Sequence, residues 1–291
     1  EDFEPKDGRV NPDDPNATPA AGSIRSLARA VVHAANLGAG VINISEAACF
    51  KARKPVDEST LGAALNYAVN VKGAVVVVAA GNTDGDCTQN PPPDPSTPTD
   101  PRGWQQVQTI VTPAWYAPLV LAVGGVGRNG APSPFSMHGP WVGVAAPAEY
   151  ITALGDTGQP VDALPGKDGP APIAGTFFAA AYVSGLAALL RQRFPDLTPA
   201  QVINRITATA RHPGGGVDDT VGAGVINAVA ALTWDVPASP PTAPFTVKPI
   251  PPPVPTPAPD RGPVTAVAVG ILGLLAALGL AALTRRALRR H

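Results

Sequence analysis

The sequence predicts an α/β domain with a mostly parallel sheet in a three-layer arrangement, followed by a C-terminal transmembrane helix. Three observations point there. Val41-Ile42-Asn43-Ile44, Ala74-Val75-Val76-Val77-Val78-Ala79 and Leu119-Val120-Leu121-Ala122-Val123 are short, almost wholly apolar runs. Segments with apolar residues at helical spacing lie between them. A final run near the C-terminus carries no charge at all. Strands that are apolar on both faces need cover on both faces, which helices between successive strands supply.

The elements follow in order. Residues 1–22 (EDFEPKDGRVNPDDPNATPAAG) are acidic and Pro-rich and read as a loop or arm. Ser23 is expected to cap a helix whose apolar face is Ile24, Leu27, Ala28, Val31, Val32 and Ala35, with Gly38 and Gly40 ending it before the first strand. Leu61, Ala64, Leu65, Ala68 and Val69 mark a second helix before the second strand. A long loop containing the Pro-rich stretch 91–101 leads to the third strand. Residues 175–190, GTFFAAAYVSGLAALL, are a small-residue turn running into an Ala-rich helix. Its Leu186, Leu189 and Leu190 are expected to extend a core face, with Ser184 and Gly185 permitting close packing. Thr198-Pro199-Ala200-Gln201 has the form of a capping box and opens a helix carrying Val202, Ile203 and Ile206. Residues 23–234 thus read as one folded unit.

Beyond that unit the composition changes. Residues 235–262 contain eleven prolines and read as an extended linker, rising roughly 3 Å per residue. Residues 263–284, PVTAVAVGILGLLAALGLAALT, are uncharged and long enough to cross about 30 Å of hydrocarbon. Arg285, Arg286, Arg289 and Arg290 follow at once. The positive-inside rule places the tail 285–291 in the cytoplasm and everything upstream outside the cell membrane, as a single-pass protein. A formal net charge of −1 gives no reason to expect a nucleic-acid partner. Cys49 lies just beyond the first strand and Cys87 just beyond the second, so neighbouring parallel strands would bring their loops together. Outside the membrane such a pair reads as a disulfide.

Chemistry in parallel sheets gathers at the C-terminal strand ends. Asn82, directly after Ala79-Ala80-Gly81, is placed to aim its amide into a cleft there and donate to an oxyanion. The turn at Gly175-Thr176 is the kind that presents a nucleophile at a helix N-terminus, yet Phe177 follows, with no nucleophilic atom.

Taken together, these segments resemble the subtilisin family of serine proteases. The pieces are VINIS (41–45), VVVVAAGN (75–82), LVLAVGGV (119–126) with Phe135-Ser136 and Ala146-Pro147 downstream, the stretch 175–190, and VGAGVINAVAAL (221–232). They span about residues 23–232, the later two-thirds of such a domain. With the Pro-rich linker, the membrane anchor and the paired cysteines, the chain resembles the mycosins, membrane-anchored subtilisin-like proteases of type VII secretion systems.

The resemblance implies a serine endopeptidase acting on polypeptides and associated with the subunits of a type VII secretion membrane complex. It puts the family's Ser at Phe177 and its oxyanion-hole Asn at Asn82. It makes Ser45, Glu46 and Ala47 the edge of the substrate groove. The family's Asp and His motifs precede the strand matched by Val41–Ile44 and are not in this chain. Asp156-Thr157-Gly158 reads as a turn, and none of His33, His138, His212 and His291 sits in the required motif. Thr176 and Ser184 carry hydroxyls away from the matched position. No acidic cluster has the spacing of calcium ligands, so neither metal nor cofactor is expected. A protease of this kind needs an oxygen nucleophile, a His and an Asp, so the chain as written is expected to be inactive. The alternative reading is a pseudoprotease that serves as a structural component of the secretion complex.

Overall fold

The computed structural model describes residues 19–53, 57–85, 87–97, 99–166 and 169–237. The Pro-rich linker, the transmembrane segment and the basic tail expected from the sequence lie outside the described residues, as does the expected arm up to residue 18. Among the described residues no helix is long and apolar enough to cross a membrane.

Four strands, β1 (Val41–Ile44), β3 (Val75–Ala79), β5 (Leu121–Val126) and β6 (Val142–Pro147), form a parallel sheet in the order β1-β3-β5-β6. β3 shows why the sheet forms where it does. Its four consecutive valines are stiff, β-branched and completely buried, and alternate ones serve opposite faces. Val76 and Val78 pack with Ile24, Ala28 and Val31 of α1 (Pro19–Asn36) and with Leu61 and Leu65 of α2 (Ser59–Asn66). Val75, Val77 and Ala79 pack with Ala179, Val183, Leu186 and Leu190 of α3 (Thr176–Arg193) and with Val202 and Ile206 of α4 (Pro199–Ala208). The short α5 (Ala228–Thr233) closes the same layer. Burying each of those valines contributes roughly 2 kcal/mol. The expected three layers are therefore present.

Short antiparallel ribbons decorate this frame. β2 (Ala48–Lys51) pairs with β4 (Thr109–Thr112), β7 (Ala153–Leu154) with β8 (Pro160–Val161), and β9 (Ala163–Gly166) with β10 (Gly169–Pro172). None of the three stood out in the sequence.

Several boundaries differ from expectation. From Pro19 onward α1 is already helical, so Ser23 lies inside it instead of capping it. Residues 19–22 are therefore helix and not loop. β5 starts two residues later than expected, since Leu119 and Val120 still belong to the bend after Pro118. α2 runs directly into a π-turn, Tyr67–Val71. α4 begins as its sequence predicts: Thr198 and Gln201 cap one another's backbone N–H groups.

α3 departs most. Leu186 and Leu190 are buried as expected, but Leu189 is 49 % exposed and Tyr182 45 %. Gly185 has nothing within 4 Å of where a Cβ would stand, so it mediates no close packing. Ser184 instead donates to Asn43 Oδ1 at 2.8 Å and to its own helix at Ala180 O. On its other side, α3 faces a groove of about 870 Å³ lined by Ile151, Phe178, Tyr182, Leu186, Leu189 and Ile226 among others.

Candidate active site

At the C-terminal ends of β1 and β3 the chain leaves the sheet in two loops, and α3 begins opposite them. Together they enclose a cavity of about 340 Å³. Ser45, Glu46 and Ala47 after β1, Gly81, Asn82 and Asp84 after β3, Cys87, and Thr176 with Phe177 line it. The structure thus brings together all the residues that the resemblance nominated for the groove, and Cys49 is bonded to Cys87 across one wall. Thr176 and Asp84 lie in the lining as well. Thr176 drew notice in the sequence for its hydroxyl, but Asp84 did not, because an aspartate in a turn reads as ordinary turn chemistry.

Each wall is fixed by a specific device. Gly81 has φ +94°, and a Cβ there would come within 2.9 Å of Val111 Cγ1, so only glycine lets the loop turn at this point. Its carbonyl accepts from Met137 N–H, and Asn82 forms an isolated bridge to Ser136. Asn82 Oδ1 accepts from Thr176 N–H at 3.1 Å and from Thr176 Oγ1 at 3.0 Å. With the oxygen so engaged, the side-chain NH₂ is the group left for the cavity. On the opposite wall Asn43 Nδ2 donates to Ser45 Oγ at 2.8 Å, and Ser45 Oγ donates to the Phe177 carbonyl at 3.1 Å. The end of β1 is thereby tied to the first turn of α3.

Phe177 occupies that first turn. Its ring tilts against Phe178 with centroids 4.7 Å apart, and it lies directly over Gly175. A Cβ on Gly175 would fall 2.3 Å from Phe177 Cζ. Gly175 has φ +146°, a conformation that only glycine adopts without strain. The Phe177 N–H belongs to the first helical turn, where backbone amides have no partner within the helix. The site therefore offers hydrogen-bond donors, an apolar ring and two carboxylates, Glu46 and Asp84. Neither a histidine nor a hydroxyl at position 177 stands among its lining residues.

The histidines lie elsewhere. His33 is exposed on α1, beside a separate groove between α1 and α2. His138 neighbours Asp219, whose carboxyl burial pushes up while His138 and Arg102 pull it the other way. His212 is exposed after α4, and His291 is outside the described residues. Asp156-Thr157-Gly158 forms the tip of the β7–β8 hairpin. Among the described residues no group of three His, Cys, Asp or Glu side chains is arranged to hold a metal ion.

A parallel sheet between two helical layers, with a loop Asn facing a helix N-terminus across a groove, is the frame of a subtilase. The Subtilase family matches residues 12–224, and the chain belongs to it. Its resemblance to the mycosins holds as well. It is 76 % identical over 291 residues to Mycosin-1 of Mycobacterium tuberculosis, covering all of this chain and 65 % of that protein. It is similar to the crystal structure of MycP1 from the ESX-1 type VII secretion system, with a TM-score of 0.81 and 73 % identity. That match covers 83 % of this chain and 64 % of the other. A chain in the structure of an intact ESX-5 inner membrane complex matches with a TM-score of 0.77 and 45 % identity, over 94 % of this chain and 63 % of that one. The chain thus spans a little under two thirds of the length of these relatives.

Proposed function

We propose that this chain is the later part of a membrane-anchored subtilisin-like endopeptidase of the mycosin type, and that it is catalytically silent as written. The observation that carries this reading is the identity of the residue at the head of α3. The cavity gathers the residues that the resemblance nominates, and the resemblance puts the family's nucleophilic Ser at Phe177. A phenyl ring forms no acyl-enzyme, and loss of the nucleophile alone removes about six orders of magnitude in turnover. Asn82 and the Phe177 N–H are assigned to the oxyanion hole, and Ser45, Glu46 and Ala47 to the edge that an extended polypeptide would line. The Asp and His have to come from a segment other than this one. β1 has β3 as its single sheet neighbour among the described residues, which leaves an edge for such a segment to join. Residues 263–284 anchor the protein in the cell membrane with its protease domain outside and its tail inside, and similarity to a chain of the ESX-5 inner membrane complex supports partners among type VII secretion subunits.

A serine-directed fluorophosphonate probe tests this on the complete polypeptide. No label is expected with Phe177, and Phe177→Ser is expected to take label at that residue once the Asp and His are supplied. Labelling at the head of α3 with Phe177 intact would overturn the claim of silence.

A second reading is favoured by the way the Phe177 ring is accommodated over Gly175. The fold then serves as a structural part of the secretion complex. Removal of the chain is expected to dissolve the complex, while Phe177→Ser leaves secretion unchanged. A complex that survives removal of the chain counts against it.

A further inference from the structure

Glu58 is a carboxylate in an unusual place. It immediately precedes α2, is only 5 % exposed, and is absent from the groove. Its Oε2 accepts from Thr112 Oγ1 at 3.0 Å and from the Trp115 indole N–H, and its backbone carbonyl accepts from Tyr116 Oη at 2.8 Å. Its Oε1 is buried with no hydrogen-bond partner. One residue therefore gathers the end of β4 and the turn after it onto the head of α2.

We propose that Glu58 is a proton-responsive positioning residue that sets the groove wall formed by Ser45, Glu46 and Ala47. The proposal rests on the groove reading given under Proposed function. The link to the wall is the β2–β4 ribbon. Thr112, the residue that Glu58 holds, is the register partner of Ala48, next to Ala47, and Cys49 opposite Val111 carries the disulfide to Cys87 on the same cavity. A shift of the Thr112 end of the ribbon is thus passed to the wall within one residue.

The direction follows from the two oxygens. When Glu58 is protonated, the pocket holds a neutral group and both donors keep their acceptor. When it ionises, a charge sits in the interior with one oxygen unsolvated, a costly arrangement unless water reaches it. Burial raises this carboxyl from its ordinary 4.5 to about 7, outweighing the hydrogen bonds from Trp115 and Thr112 that favour the anion. Among the described residues the titratable groups acting on it are Asp57, whose charge also raises it, and Tyr116. A conformer in which Glu58 reaches water would titrate near the ordinary value. The fixed conformer is therefore favoured below pH 4.5, and the advantage is lost as pH rises through 7. The full difference corresponds to a bias of roughly 300-fold between fixed and loosened walls.

The test uses the full polypeptide, a non-cleaved extended peptide as probe, and the variant Glu58→Gln, which keeps the shape and an acceptor but cannot ionise. Peptide affinity of the parent is expected to fall at least fivefold between pH 4.5 and 8, with most of the fall below 7. In Glu58→Gln that component disappears, leaving affinity at the acid-side level. A pH dependence of equal size in both proteins, or none in the parent, overturns the proposal. If no peptide binds at any pH, the groove reading fails and the positioning claim is read separately by NMR. The Trp115 indole proton, assigned with Trp115→Phe, and the amides of Ala47 and Ala48 are expected to titrate together near pH 7, and to stop doing so in Glu58→Gln. An indole that titrates while those amides stay still overturns it.

Discussion

Gly175 and Phe177 constrain one another. Gly175 takes a backbone conformation denied to other residues, and the space beside its Cα is filled by the Phe177 ring. Gly175→Ala therefore meets two penalties: strain at φ +146°, about 1–3 kcal/mol, and overlap with the ring. The unfolding free energy from denaturant titration is expected to fall by at least about 2 kcal/mol in the single variant. Adding Phe177→Ala should return the overlap part and leave the strain, so the double-mutant cycle gives a coupling of about 1 kcal/mol or more. A cycle that sums to zero would mean the ring does not rest on Gly175. Single residues were unevenly legible in the sequence. Asn82 stood out because a polar side chain directly after a buried strand has one place to go, and Phe177 because its chemistry conflicts with its position. Glu58 gave no signal: a carboxylate just before a helix reads as a solvated group at the positive end of the helix dipole. Only the fold reveals that Trp115 and Thr112 close over it.

The secondary elements that the sequence declares are those whose own residues determine them. β3 is announced by its valines, and α4 by Thr198 and Gln201, whose reciprocal capping is local. The β2–β4 ribbon is different. Ala48–Lys51 and Thr109–Thr112 are four residues each, lie far apart in sequence, and lack a sustained alternation, so their pairing is decided by long-range contact. The ribbon carries Cys49, whose bond to Cys87 spans 38 residues. In the chain-entropy account, closing a loop of that length stabilises the fold by about 4 kcal/mol. Cys49→Ala with Cys87→Ala is expected to lower unfolding free energy by about that amount in urea, with reductant reproducing the loss in the parent. Loss of less than about 1 kcal/mol would show that the loops are held chiefly by other contacts, such as Asn90, whose amide side chain bonds Thr109 and His138 at the base of the Pro-rich stretch.

For the whole molecule, the informative feature is a helix whose composition and surroundings disagree. α3 is apolar on nearly every side, the pattern of a helix enclosed all round. One side meets the sheet; the other leaves Tyr182 and Leu189 about half exposed beside the 870 Å³ groove. β1 meanwhile ends the sheet with one edge unpaired among the described residues. Both features are consistent with the proposal that a further segment joins this part of the fold. Mycosin-1 of Mycobacterium tuberculosis, 65 % of which this chain covers, is about half as long again. The disagreement turns into a measurement through Leu189→Lys. In the present chain a lysine at this half-exposed site keeps its charge in water, and the cost is expected to stay within about 0.5 kcal/mol. In a full-length polypeptide whose additional segment lies on α3, the same lysine would be enclosed without a partner, and the cost should rise to several kcal/mol. Equal, small costs in the two proteins would mean that this face stays open and that no added segment covers it.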